Sequence, residues 1–224
     1  VGSSSPTIGH ASMKPEKQNE LYANLMDEVK VRISSIDSAA LGRLPLPTPL
    51  VREFCYLQLR MLCELIALSC LVAHGDITFL LPHKLGKSYS ADDILDRLSK
   101  LREHFYPSPI RQNVVRRVPS GPAEFRLDGV DPSPLPKDQL LDLYAKTHKC
   151  LHRGSLKKLL SSETPIDITI HMPEIISWAQ KINDLLSTHI IAINADKVIL
   201  CTLRNIDDNN RVQVALAEKP RQSN

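Results

Sequence analysis

The densest group of side chains able to do chemistry is the run Lys146, Thr147, His148, Lys149, Cys150, Leu151, His152 and Arg153. His148 and His152 stand four apart, so on a helix both project from one face. Two imidazoles at that spacing can ligate a divalent metal. The residues between them are Lys149, Cys150 and Leu151, with no glutamate to serve as the base of a metalloprotease. The neighbouring lysine also repels a cation, and no metal site is expected here. A second reading is general acid–base chemistry by His152 beside Lys146 or Arg153, because imidazole titrates near neutrality and a nearby cation lowers its pKa. The third is a structural or solvated pair. A Cys150–histidine nucleophile is set aside, since residues two apart on a helix do not face each other. Whether the chain is an enzyme stays open at this point.

A second polar step interrupts the longest apolar stretch, Leu50–His74, where Arg60 and Glu64 have i,i+4 spacing. They are expected to be partly buried, either fixing helix register or, with His148, lining a polar cleft. Basic residues concentrate between Arg97 and Lys158: thirteen Lys or Arg against six Asp or Glu, about +7 in a chain whose formal charge is +3. Arg111, Arg116, Arg117, Lys149, Lys157 and Lys158 are the candidates there for meeting a phosphate backbone or an acidic protein. Aromatic residues make up only 4% of the chain, which disfavours base-stacking platforms. No phosphate loop, dinucleotide-binding loop, nucleophile elbow or kinase signature occurs, and no cofactor is implied.

The elements that must position these residues are mainly helical. Residues 14–38 carry Leu21, Leu25, Val29, Ile33 and Ile36 at helical spacing. The stretch Leu50–His74 is apolar on almost every face and so predicts a central helix surrounded by others. Its cysteines, Cys55, Cys63 and Cys70, recur near one face. With Cys150 and Cys201 they make five, an odd number without a CxxC pair, which suits small core residues in a reducing compartment. Arg52, Glu53, Arg60 and Glu64 break the stretch, and the run from Leu65 to Ala73 falls short of the roughly 20 residues a bilayer needs. No membrane partner is expected, and a cytoplasmic location is the reading.

Ser90 and Asp93 have capping-box spacing before a helix with Ile94, Leu95, Leu98, Leu101 and Phe105 inward. A proline-rich segment, 107–136, follows, with one short strand expected in 123–130. Helices are then expected from Lys137 to His152, within SLKKLLSS, and from Met172 to His189. Their core faces are Leu140, Leu141, Tyr144, Thr147, Cys150 and Leu151 in the first. In the last they are Ile175, Ile176, Trp178, Ala179, Ile182, Leu185 and Leu186. The segments 190–195, 197–204 and 211–218 alternate as strands, with 166–170 as a further one and 76–81 as a strand or buried turn. The fold class is therefore α+β: a helical core of five to six helices with a small C-terminal antiparallel β-meander covered by the last helix. Residues 1–12 read as an expression leader, 13–162 as the helical core, and 163–224 as a C-terminal helix plus sheet packed on it.

The helix LRMLCELIAL followed by one ending YAKTHKCLHRG resembles the HEPN group of helical domains, over at most residues 50–160. The resemblance implies an all-α domain that is either a ribonuclease or an inactive binding module. The family motif pairs an arginine with a histidine near a helix end, acting on the RNA 2′-hydroxyl and phosphate. The matching positions here are Lys146 and His152, with lysine in place of the bidentate arginine. Three functions are thus expected from this chain. The foremost is a non-enzymatic interaction or regulatory protein that self-associates or binds a protein partner, because no catalytic set is complete and strand edges are available for pairing. The others are a nucleic-acid-binding protein using 97–158 and an HEPN-like ribonuclease.

Overall fold

The computed structural model describes residues 14–74, 90–116, 124–151 and 171–218. Their elements in order are α1 (Pro15–Ala40), α2 (Thr48–Ala73), α3 (Ala91–Leu101), β1 (Ser108–Arg116), β2 (Glu124–Gly129), α4 (Lys137–Leu151), α5 (Met172–Leu186), β3 (Thr188–Ala192), β4 (Lys197–Asn205) and β5 (Arg211–Glu218). The α+β class and the C-terminal strands follow the expectation. The expected strands or helices at 76–81, 155–162 and 166–170 lie outside the described residues.

Helix α2 is the centre. By length and composition alone it could cross a membrane, yet here it packs against α1, α3, α4 and α5. Leu59, Leu62, Cys63, Ile66, Ala67 and Cys70 are wholly buried. Its C-terminal carbonyls are met from outside: Gln18 Nε2 on α1 donates to Val72 O at 2.9 Å and Ala73 O at 2.7 Å. That satisfies groups which a helix end otherwise leaves orphaned. Burial drives the Cys63 and Cys70 thiols above their ordinary pKa, so they are protonated core residues.

The inner stripes differ from the expected ones in detail. On α1 the buried residues are Tyr22, Met26, Val29, Ile33, Ile36 and Ala39, while Leu21 is exposed. Val29, Ile33 and Ile36 are buried as expected, and the difference lies in the first two turns, where Tyr22 and Met26 take the inner positions and the Tyr22 hydroxyl meets His189 on the sheet. On α3 the helix stops at Leu101, and Phe105 is buried beyond its end. Ser90 occupies the N-cap position but makes no cap hydrogen bond through its side chain, so the expected capping box is not formed. On α4 Leu143 joins Leu140, Tyr144 and Thr147 in the core. On α5 Ile176 is exposed and Ile175, Ala179, Ile182, Leu185 and Leu186 face in.

The sheet is larger than the expected meander. It has five antiparallel strands in the order β2-β1-β3-β4-β5. β3, β4 and β5 form the meander, and the hairpin β1–β2 from the middle of the chain joins it through Ser108 opposite Ile190 and Pro109 opposite His189. The turn after β3 is closed by Asn194, whose Oδ1 accepts from the backbone N–H groups of Asp196 and Lys197. The turn before β5 places Asn209 and Asn210 at φ 49° and 59°, a left-handed region that asparagine tolerates better than most residues.

Alternation along the strands puts His189, Ile191, Ile199, Cys201 and Leu203 on the inner face, all wholly buried. Two helices rather than one cover that face: α1 lies against β4 and β5, and α5 touches β1, β3 and β4. Tyr22 OH and His189 Nε2 are 2.6 Å apart, and His189 Nδ1 is 3.0 Å from Leu186 O. With Nδ1–H donating to that carbonyl, Nε2 accepts from Tyr22, and this one buried imidazole ties α1, α5 and β3 together. One hydrophobic cluster runs continuously from Tyr22 on α1 to Leu203 on β4.

Candidate functional site

Arg60 and Glu64 lie on one exposed-to-buried boundary of α2, with side chains 25% and 23% exposed and an Nε–Oε1 distance of 3.1 Å. The i,i+4 geometry of the helix makes this pair locally. A third partner comes from α4: Arg60 Nη2 donates to Tyr144 OH at 2.7 Å, and that hydroxyl donates to Glu64 Oε1 at 3.3 Å. The Arg60 guanidinium also lies 4.5 Å from the centre of the Tyr144 ring. Burial pushes the Tyr144 phenol up, while Arg60 pulls it the other way. Every strong hydrogen-bonding group in this triad has a partner within it, as a structural lock between two packed helices requires.

Lys146 is two residues beyond Tyr144 and therefore points elsewhere. Its Nζ forms an ion pair with Glu174 on α5. Glu174 Oε1 also accepts from Trp178 Nε1 at 3.4 Å. Lys146 chiefly, with the Trp178 bond adding to it, holds the Glu174 carboxyl below the usual range. Lys181 covers Trp178, its Nζ 4.7 Å from the ring, and donates to Gln139 Oε1 at 3.1 Å. Beside them Arg52 lies 5.2 Å over the Tyr56 ring. This second cluster joins α2, α4 and α5.

The residues singled out in the sequence thus divide. Arg60 and Glu64 meet Tyr144, whereas Lys146 meets Glu174. His148 is exposed near the end of α4. His152, Arg153, Arg117, Lys157 and Lys158 lie outside the described residues. Arg111 is exposed on β1, whose last residue is Arg116, and Lys149 is exposed on α4. Other cations of the basic stretch carry carboxylate partners: Lys100 with Asp96 at 2.6 Å and Arg126 with Asp128 at 2.8 Å. No group of three or more His, Cys, Asp or Glu that could hold a metal occurs among the described residues.

The sequence pointed to Tyr144 and Trp178 only as core-face residues of their helices, and Glu174 was not singled out. The one local signal was the i,i+4 spacing of Glu174 and Trp178. The others depend on contacts between distant segments, Arg60 with Tyr144 being 84 positions apart.

The sheet offers a different kind of site. β2 and β5 are its two edges. β2 carries Arg126 and Asp128, paired with each other and, through Asp128, with Asn113 at 2.8 Å. Charge on an edge strand discourages another strand from pairing with it. β5 has no such guard. Between Arg211 and Glu218 its residues are Val212, Gln213, Val214, Ala215, Leu216 and Ala217, none charged. Val212 and Val214 pack inward on the core, while Gln213, Ala215 and Leu216 are exposed. No described strand lies beyond β5. Comparison of the chain with protein-family models, with curated proteins and with solved structures finds no match.

Proposed function

We propose that this chain is a non-enzymatic interaction or regulatory protein that self-associates, the β5 edge of one copy pairing antiparallel with the β5 edge of another. The observation that carries the reading is the uncharged interior of β5 beside a charged β2. An eight-residue edge strand with a row of backbone groups facing away from its neighbour is a template for strand addition. A two-fold axis through the middle of β5 makes the same surface serve both copies. It also brings the Arg211 end of one strand alongside the Glu218 end of the other, an arrangement of opposite charges.

The polar clusters support the non-enzymatic half of the reading. Arg60 and Lys146 are engaged with Glu64 and Glu174, so neither stands ready to grip a phosphate. The pairing of Lys100 and Arg126 with carboxylates weighs against the nucleic-acid reading in the same way. Buried, protonated thiols suit a reducing compartment such as the cytoplasm.

Light scattering on the full chain tests this. The mass is expected to rise from 25.1 kDa toward twice that value with concentration. Ala215→Lys, an exposed position near the middle of β5, sets like charges together across the two-fold axis and is expected to return the protein to monomer with its circular dichroism unchanged. A wild-type monomer at all concentrations would refute the proposal, and so would an Ala215→Lys variant that still dimerises.

A further inference from the structure

The two β5 strands of the proposed pair can meet in more than one register, and the side chains of β5 select among them. Val214 and Leu216 stand opposite Cys201 and Ile199 on β4, so they share the inner face, on which Val212 also packs. A two-fold axis normal to the sheet keeps the inner faces of both copies together and sets one residue opposite its own counterpart. With Val214 in that place, Val212 meets Leu216 of the other copy and the inner face is apolar throughout. With Ala215 there instead, Val212 would meet Glu218. Leu216 is 37% exposed in the single copy and finds an apolar partner only in the first arrangement.

Helix α1 stands over the same point. His189 on β3, Cys201 on β4 and Val214 on β5 lie in one row across the sheet. Tyr22 bonds to His189 from above that row. Burial first, and the charge of Asp27 after it, push the Cys201 thiol up to about 12. The row therefore passes beneath α1 between Tyr22 and Asp27. Because α1 lies against both β4 and β5, its axis is one strand spacing, about 4.8 Å, from a two-fold axis just beyond β5. Two α1 helices so placed are about 10 Å apart, within reach of the roughly 8–10 Å at which helices pack. On α1, Gln18 and Arg32 reach toward α2. The flank turned away from α2 carries Glu20, Asn24, Asp27 and Val31, all exposed, Val31 to 65%.

We infer that this flank of α1 packs antiparallel against the same flank of α1 in a second copy, with Asn24 nearest the two-fold axis. Resting on the proposed β5 pairing, the contact adds a helical layer to the interface. Asn24 meets its own counterpart. Val31 reaches the aliphatic stem of Lys17 in the other copy. Glu20 approaches the Asp27–Lys30 pair there, in which Lys30 Nζ, 3.0 Å from Asp27 Oδ1, offsets the carboxylate.

A residue that faces itself across a two-fold axis feels an added charge of either sign as repulsion. Dissociation constants from sedimentation equilibrium on the full chain test this. Asn24→Lys and Asn24→Asp are each expected to weaken association by about tenfold. Circular dichroism should not change, because the position is exposed. An equimolar mixture of the two variants is expected to associate at least as tightly as the wild type, since opposite charges then face each other. Either variant associating like the wild type, or a mixture no tighter than the variants alone, would overturn the α1 contact. Were Ala215→Lys monomeric in that case, the β5 pairing would stand and only the helical layer would fall. A wild-type chain that stays monomeric would remove both.

Discussion

At the scale of single residues, buried imidazoles and the Arg60 triad govern how the fold responds to its surroundings. His189 is wholly buried, and burial lowers its pKa from 6.5 to about 4. His74 is lowered to about 4 as well, by burial first and by the nearby Arg102. In the unfolded chain both take up a proton near pH 6.5, so between about 4 and 6.5 the unfolded state binds more protons than the native one. Stability is therefore expected to fall as pH drops through that window and to level off below it. For His189 alone the loss amounts to about 3 kcal/mol. Urea midpoints at pH 7 and pH 4.5 measure it, and His189→Gln should shrink the difference by about half; an undiminished difference would contradict the assignment. In the triad, Tyr144→Phe removes one acceptor and one donor and is expected to cost about 1 kcal/mol in denaturant unfolding. Glu64→Gln keeps the shape and removes the charge facing Arg60. At their partial exposure the cost should fall between that of a surface pair and a buried one, about 1–3 kcal/mol. If neither change moves the midpoint, the triad is not a lock. The Arg60–Glu64 pair was legible in the sequence because a helix makes it locally. Tyr144 was legible only as a core-face residue of α4 and Glu174 not at all, because nothing in the spacing says which neighbour each helix face meets.

At the scale of elements, period and composition located the helices, and tertiary contacts decided the rest. The apolar spacing within residues 15–40, 48–73, 137–151 and 172–186 is enough by itself to mark four helices. It does not settle every inner position: on α1 Val29, Ile33 and Ile36 face in as expected, but Tyr22 rather than Leu21 turns inward, where His189 supplies a buried partner. β3, β4 and β5 were legible from alternation and from the Asn-rich turn at 209–210. β1 was not. Pro107 and Pro109 argue locally against a strand, and Arg111, Gln112 and Asn113 lack the apolar alternation that marks one. β1 exists because it is sandwiched between β2 and β3. The centrality of α2 gives a direct prediction. Leu62 is wholly buried in it among several helices, so Leu62→Ala leaves a cavity that they cannot collapse to fill, and should cost about 2–5 kcal/mol. A loss under about 1 kcal/mol in chemical denaturation would place α2 at an edge of the core instead.

At the scale of the whole molecule, the helices bury one face of the sheet while its two edges remain unlike. The strand order that leaves β2 and β5 outermost arises from pairing between segments far apart in sequence, so which strand would be an edge could not be read from the strands themselves. Once that order is known, the contrast between a charged β2 and an uncharged β5 becomes a statement about partners. A second copy is the partner proposed here, because β5 is complementary to itself in direction and in the charges at its ends. Amide hydrogen exchange in β5, measured on the full chain at low and high concentration, tests this most directly. The β5 amides that point away from β4 are expected to exchange more slowly as concentration rises, with those of β2 unchanged. Exchange in β5 that is the same at every concentration, whatever the mass in solution, would contradict it.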